Sequence, residues 1–584
     1  MEINEKIEAL RALLRKNNLA AYIINGTDPH NSEYVCEHWR SREFISGFTG
    51  SAGTVLVTLT DALIWVDSRY FVQCSQQIEN TCFKMKKANG PEAEKFIDYI
   101  KNTFTNNEKI GISAETLMLK QKREFEENSI NIVPCDDLLG FIWTDRPPVP
   151  ETQAEYIPLG ISGESTKSKL AKMRLFMKEK CAQYLLVTAL DDIAWILNLR
   201  ANDIPDTPVF LSYLLINSEE AMLFTSENRF KNIKSKCIEC RILPYESIFD
   251  KLSGISGCSV YVNPENTNMK VINALSGENI IIVEGKDYST DLKACKNNIE
   301  LNGMRVAHIL DGVALADFMG AVRSNEYSFT EISIAQCLED ERAKEEAYLG
   351  PSFSTIAGFA DHGAIVHYSA TPQTDRKISG SGLLVLDSGG QYVCGTTDVT
   401  RTLLFGRATK EMKDNYTRVL KGHLEIASLV FPEGTTGVHI DVLAHRYLWQ
   451  VGLDYFHGTG HGVGCRLSVH EGPQRISSSL KSDVPLKEGM VLSDEPGVYK
   501  EGKFGIRIEN LLAVVPAFKT QAGQFYTFEV LTCCPYERRL IDKTLLTEEE
   551  INLIDVYHSW VYSQLKDFVS KQGLEYLKEA TEPL

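Results

Sequence analysis

The sequence predicts a mixed α/β (α+β) protein with two related N-terminal α/β domains and a larger catalytic domain that ends in a helical extension. Three observations predict it. A helix-then-strand pattern occurs twice in the first half, a proline-rich stretch separates the copies, and a long helical pattern near residue 299 opens the region where acidic residues and histidines gather. The length agrees, because single hydrophobic cores stop growing near ~250–300 residues and 584 residues should divide into about three domains.

The first helix is marked by Ile7, Leu10, Leu13 and Leu14 at helical spacing, and the strand-like Ala21-Tyr-Ile-Ile follows it. The segments 54–57 and 62–66 read as a hairpin. Arg146-Pro-Pro-Val-Pro favours extended backbone and suits a linker, which sets the first domain at 1–148 and the second at 149–293. The second copy repeats the order, with a helix over 170–180, a strand over 184–187 and hairpin-like segments at 211–216 and 221–224. The catalytic domain is expected over 294–584, opening with a helix over 299–319. Its extension, from about 536 to 584, is mostly helical, and Thr547 with Glu550 fits a capping box.

With 43% hydrophobic and 24% charged residues, the chain has the composition of an ordinary soluble protein. A formal net charge of −17 repels phosphate backbones and anionic lipid, so neither nucleic acid nor a membrane surface is an expected partner. The N-terminus combines acidic residues with an amphipathic helix, not a basic start and an apolar run. No stretch approaches the ~18 consecutive apolar residues of a membrane span, so a cytoplasmic location is expected. Fourteen irregularly spaced cysteines read as reduced thiols. Cys237 and Cys240 form a C-x-x-C without the second pair or nearby histidine of a zinc site.

The chemistry lies in the third region. Leu383-Leu-Val-Leu is a short buried-strand pattern leading to Asp387-Ser-Gly-Gly, expected as a turn, after which Thr396 to Leu403 alternates as a second strand. Such a hairpin sets Asp387 beside Asp398, and paired carboxylates require either a shared proton or a metal. His457-Gly-Thr-Gly-His-Gly-Val-Gly places alternating glycines around His457 and His461, as a structural turn or as backbone in close approach to a ligand. It lacks the setting of a dinucleotide or phosphate loop. Met490 to Pro496 is a strand running into a Pro-Gly turn, with Glu495 at its end. In Phe504 to Leu512, alternation puts Arg507 and Glu509 on one face, as a surface ion pair or part of a site. Two divalent cations with a bridging hydroxide would nearly cancel the four carboxylates Asp387, Asp398, Glu495 and Glu509. An oxygen-rich set of this kind suits Mn²⁺, with Zn²⁺, Co²⁺ or Fe²⁺ as alternatives.

These segments resemble the pita-bread metallopeptidases, and the three-domain eukaryotic aminopeptidase P group in particular. Arg42 to Gly53 is similar to the first, creatinase-like domain of that group, and the likeness covers the whole chain. The resemblance implies that Asp387, Asp398, His461, Glu495 and Glu509 hold two metal ions, with Asp398 and Glu509 bridging them. It implies substrate-site roles for His367, His457 and His470, whose imidazoles can donate to a carbonyl or move a proton. Arg507 is expected to bind substrate. The implied activity is hydrolysis of the first bond of peptides with proline second, by a hydroxide bridging the metals, with Glu495 accepting its proton. A homodimer is also implied. The alternatives are a prolidase restricted to X-Pro dipeptides and a pita-bread binding protein without catalysis.

Overall fold

The computed structural model describes residues 1–90, 92–234, 238–324, 329–479 and 483–584. Two compact units are formed, Met1–Thr290 and Asp291–Leu584.

The repeat expected in the first half is present as two six-stranded sheets of the same order. In the first, the strands run Phe83–Lys87, Ala62–Val66, Thr54–Thr58, Ala21–Asn25, Ile110–Ser113 and Ile132–Cys135. In the second they run Arg241–Leu243, Ala221–Phe224, Tyr213–Ile216, Tyr184–Val187, Ser259–Val262 and Ile281–Glu284. The senses also match: two antiparallel pairings on one side of the founding strand and parallel pairings at both flanks. The helix Ile3–Lys16 buries Ile7, Leu10 and Leu14, the spacing that marked it in sequence. Ala21, Ile23 and Trp65 of the first sheet share a core with Leu186, Tyr213 and Leu215 of the second. Cys240 is half-buried, and its motif partner Cys237 lies outside the described residues.

The second unit opens with the 27-residue helix Asn298–Ser324. Its main sheet is antiparallel and orders the strands Val430–Pro432, Gly523–Val530, Asn510–Thr520, Val491–Asp494, Gly460–Gly462 and Glu471–Ile476. A three-stranded antiparallel sheet is made by Ile356–Phe359, Gly382–Ser388 and Val399–Phe405. The helices Lys410–Ala427 and Gly437–Trp449 pack on each other, and Glu548–Leu565 and Lys571–Ala580 pack on the long opening helix. Thr547 and Glu550 form the expected capping box, with Glu550 N–H donating to Thr547 Oγ1 at 3.2 Å.

One local expectation is corrected. Asp387-Ser-Gly-Gly is not the turn. The chain continues as the strand Gly390–Tyr392, turns at Val393-Cys394 and returns through Gly395–Thr396, so the strand after Asp398 starts at Val399. The glycine serves close approach instead, since a Cβ on Gly389 would lie 2.0 Å from the Thr397 carbonyl oxygen.

Candidate metal centre

Asp387 lies opposite Thr400, one residue before the end of its strand, and Asp398 directly precedes Val399–Phe405. Glu509 lies between the strands Phe504–Arg507 and Asn510–Thr520. Its N–H donates to the Thr400 carbonyl at 3.1 Å, and its Oε2 accepts the Thr400 hydroxyl at 2.8 Å. One threonine thus fixes two acidic segments 109 residues apart in sequence. His461 is carried by Gly460–Gly462, where a Cβ on Gly460 would meet the Ser493 carbonyl oxygen at 1.9 Å. That approach lets the Ser493 hydroxyl accept the His461 N–H at 3.0 Å and donate to Glu495 Oε1 at 3.2 Å.

The five acidic and imidazole groups therefore converge from two sheets. Asp398, His461 and Glu509 each present a donor atom within 4.8 Å of the others. His461 Nδ1 bonds to the Gly462 carbonyl at 3.0 Å. A carbonyl only accepts, so Nδ1 carries the proton and Nε2 points at Asp398 Oδ2, 3.4 Å away, and Glu495 Oε1, 3.5 Å away. Burial opposes charge on this ring, but Asp398 and Glu495 outweigh it and lift His461 to about 9. Burial, reinforced by Asp398, Glu495 and Asp387, pushes Glu509 well above the usual carboxylate range. Burial lifts Glu495 to about 7, against the pull of His461 and Arg507. Asp387 is raised by burial and Asp398 and restrained by Arg507. Its Oδ1 is buried without a hydrogen-bond partner. Mutually repelling buried carboxylates, an orphaned oxygen and an imidazole nitrogen aimed at the same space fit divalent cations, which would take the place of the proton on Nε2.

Arg507 is buried, not part of a surface ion pair. Its Nη2 donates to Asp387 Oδ2 at 2.7 Å, its Nε to Thr400 Oγ1 at 3.2 Å, and its Nη1 to Tyr499 Oη at 2.8 Å and to the Val366 carbonyl at 3.3 Å. Because the Tyr499 oxygen accepts from arginine, its own proton goes to His457 Nε2 at 2.9 Å, while His457 Nδ1 donates to the Gly458 carbonyl at 2.8 Å. The His470 ring lies 4.3 Å from that of His461. His367 follows Val366, the residue gripped by Arg507. His439 and His445 belong to the helix Gly437–Trp449. His439 Nδ1 accepts the Thr436 N–H at 3.0 Å, and His445 Nδ1 pairs with Asp454 at 2.6 Å.

Thr400, Ser493 and Tyr499 were not among the residues singled out from sequence. Tyr499 had a signal: it alternates with Gly497 on a strand paired to Phe504–Arg507, so both strands present polar groups to one face.

The fold and this buried donor set define a metallohydrolase of pita-bread architecture. Residues 302–516 match metallopeptidase family M24, and 524–584 match the C-terminal region of the same family. Residues 6–140 and 145–300 each match the creatinase/prolidase N-terminal domain. The chain belongs to metallopeptidase family M24. It is 37% identical to Xaa-Pro aminopeptidase 1 of Dictyostelium discoideum, over 100% of this chain and 97% of that one. It is also 37% identical to Xaa-Pro aminopeptidase ApepP of Drosophila melanogaster, over 97% and 96% of the two chains. The crystal structure of the X-prolyl aminopeptidase from Caenorhabditis elegans, described as a cytosolic enzyme with a di-nuclear active site, superposes with a TM-score of 0.95. That match is at 32% identity and covers both chains completely. Among the described residues, no helix is long and apolar enough to cross a membrane.

Proposed function

We propose that the protein is a metal-dependent Xaa-Pro aminopeptidase, releasing the first residue of peptides whose second residue is proline. The observation that carries this is the convergence of Asp398, His461 and Glu509, with Glu495 and Asp387 alongside, in a chain similar over its full length to named Xaa-Pro aminopeptidases. Asp387, Asp398, His461, Glu495 and Glu509 would hold two divalent ions, and four carboxylates with one imidazole suit Mn²⁺. When bound, such ions polarise a carbonyl and lower the pKa of water.

The chain's own residues account for the rest. Glu495, whose Oε1 lies 3.5 Å from His461 Nε2, is placed to take and return a proton. His470, beside His461, donates to the carbonyl of the first peptide bond as charge develops on it. Both nitrogens of His457 are engaged and its ring packs 4.8 Å from that of Tyr455, so the residue would meet the proline as part of an aromatic surface rather than as a donor. His367 supports the same ring from the segment that Arg507 anchors. The amide before proline has no N–H, so recognition falls on such surfaces and not on a backbone donor. We assign three domains, 1–148, 149–293 and 294–584, to a cytosolic homodimer that binds neither nucleic acid nor membrane; the charge of −17 supports the last point.

The test is cleavage of an X-Pro-Pro peptide by the purified protein, with chelator and after return of Mn²⁺, Zn²⁺ or Co²⁺. Release of the first residue should require metal and vanish in Asp398→Asn. Activity confined to X-Pro dipeptides, or retained in Asp398→Asn, overturns the assignment.

A further inference from the structure

We propose that Glu331 and His362 form a clamp that positions His367, taking His367 as a substrate-binding residue as above. The segment that carries His367 has little regular structure of its own. The strand Ile356–Phe359 is followed by a single 3-10 turn, Ala360–Ala364, and the next strand begins at Gly382. A segment of this kind is held only by what it bonds to.

Glu331 provides that hold. It is fully buried at the start of the helix Glu331–Arg342, and it accepts four different donors. Phe359 N–H donates at 2.7 Å, Arg376 N–H at 3.2 Å, His362 Nδ1 at 2.9 Å and the Tyr368 hydroxyl at 2.9 Å. These donors flank His367 in the chain on both sides. The helix does not need this carboxylate as a cap, because the Thr330 hydroxyl already accepts the Ser333 N–H at 3.2 Å.

His362 completes the clamp with a defined tautomer. An Arg376 guanidinium N–H lies 3.0 Å from His362 Nε2, and a guanidinium has no lone pair, so Nε2 accepts and the proton resides on Nδ1, facing Glu331. The His362 and Tyr368 rings pack at 4.5 Å. At the opposite end, Arg507 holds Val366. His367 is therefore suspended between a buried carboxylate and the arginine bonded to Asp387. Glu331 and His362 are positioning residues, acting on substrate only through His367.

Steady-state cleavage of an X-Pro-Pro peptide by the metal-loaded protein tests this, with His362→Leu, His362→Asn, Tyr368→Phe and Glu331→Ala. His362 is 18% exposed, so its replacement leaves the core in place even if Glu331→Ala does not fold. His362→Leu should raise KM about tenfold with kcat within about twofold and bound metal unchanged, because binding geometry is lost and not the reacting groups. His362→Asn should restore KM, since its amide N–H replaces Nδ1–H. An unchanged KM in both His362→Leu and Tyr368→Phe, or a kcat that falls with lost metal, overturns the proposal. Hydrogen exchange separates this from failure of the functional assignment. If the unaltered protein cleaves no such peptide, faster exchange of residues 360–376 in His362→Leu, with 382–405 unchanged, still supports the clamp, and unchanged exchange overturns it.

Discussion

Tyr499 performs two tasks with one oxygen, accepting from Arg507 and donating to His457. In Tyr499→Phe, Arg507 keeps Asp387 and Val366 as partners, so the proposed metal ligands stay in place while His457 loses its bond to Tyr499. We expect bound metal to be unchanged and kcat/KM to fall about tenfold, roughly 1.4 kcal/mol of transition-state stabilisation. Metal analysis beside peptide kinetics checks both halves. His558 makes a stability prediction with a definite sign. It is fully buried, accepts the Tyr536 N–H through Nε2 at 3.1 Å, and has no partner at Nδ1. Burial, aided by Arg401 and Arg538, depresses it to about 3. The unfolded chain protonates this histidine near ~6.5. Between those two values the unfolded state holds one more proton, so stability should fall with falling pH by about 1.4 kcal/mol per unit. His558→Gln keeps an acceptor for Tyr536 and should remove this component from denaturant midpoints measured from pH 7 to 4.

The C-terminal elements are tied to the proposed metal centre through Arg401. Its guanidinium is fully buried and donates to the carbonyls of Thr400, Glu509, Cys534 and Pro535, to Asn510 Oδ1 and to the Tyr557 hydroxyl. The first two belong to segments that carry proposed acidic ligands, and Tyr557 lies in the helix Glu548–Leu565. Arg401→Lys offers three donors without the planar fork and would leave several buried carbonyls unpaired, at about 1–3 kcal/mol each before relaxation. We expect a melting temperature lower by several degrees together with reduced metal content; a lower melting temperature with full metal content would show that the extension stabilises the unit without shaping the site. At this scale the sequence was legible where an element declares itself locally. Thr547 with Glu550, the strand at 383–386 and the alternation around Arg507 all depend on neighbours a few residues away. The Gly389 region misled because glycine permits both a turn and a close approach, and only Thr397, across the hairpin, decides between them. Glu331 gave no sequence signal, since its four partners lie 28 to 45 residues distant.

Across the whole molecule, the doubled architecture of the first unit was readable because each copy repeats helix, strand and hairpin in one order, and the sheets reproduce that order and its strand senses. The full strand order was not readable, since pairings such as Ala21 with Ile110 and Tyr184 with Val260 join distant segments through packing. The division into units carries a prediction about metal. Every proposed ligand lies in Asp291–Leu584, and within that unit burial and mutual repulsion push Asp387, Glu495 and Glu509 towards protonation. Cations bound only by the folded second unit stabilise it by about 2.7 kcal/mol at one hundred times their dissociation constant and give the first unit nothing directly. Chelation should therefore lower a thermal transition belonging to the second unit and leave the other in place. In hydrogen exchange, segments around 382–405 and 491–510 should lose protection on chelation, while the sheets at 21–66 and 184–224 keep theirs. Equal loss in both units would mean that they unfold as one, and no loss in either would remove the metal from the second unit's stability.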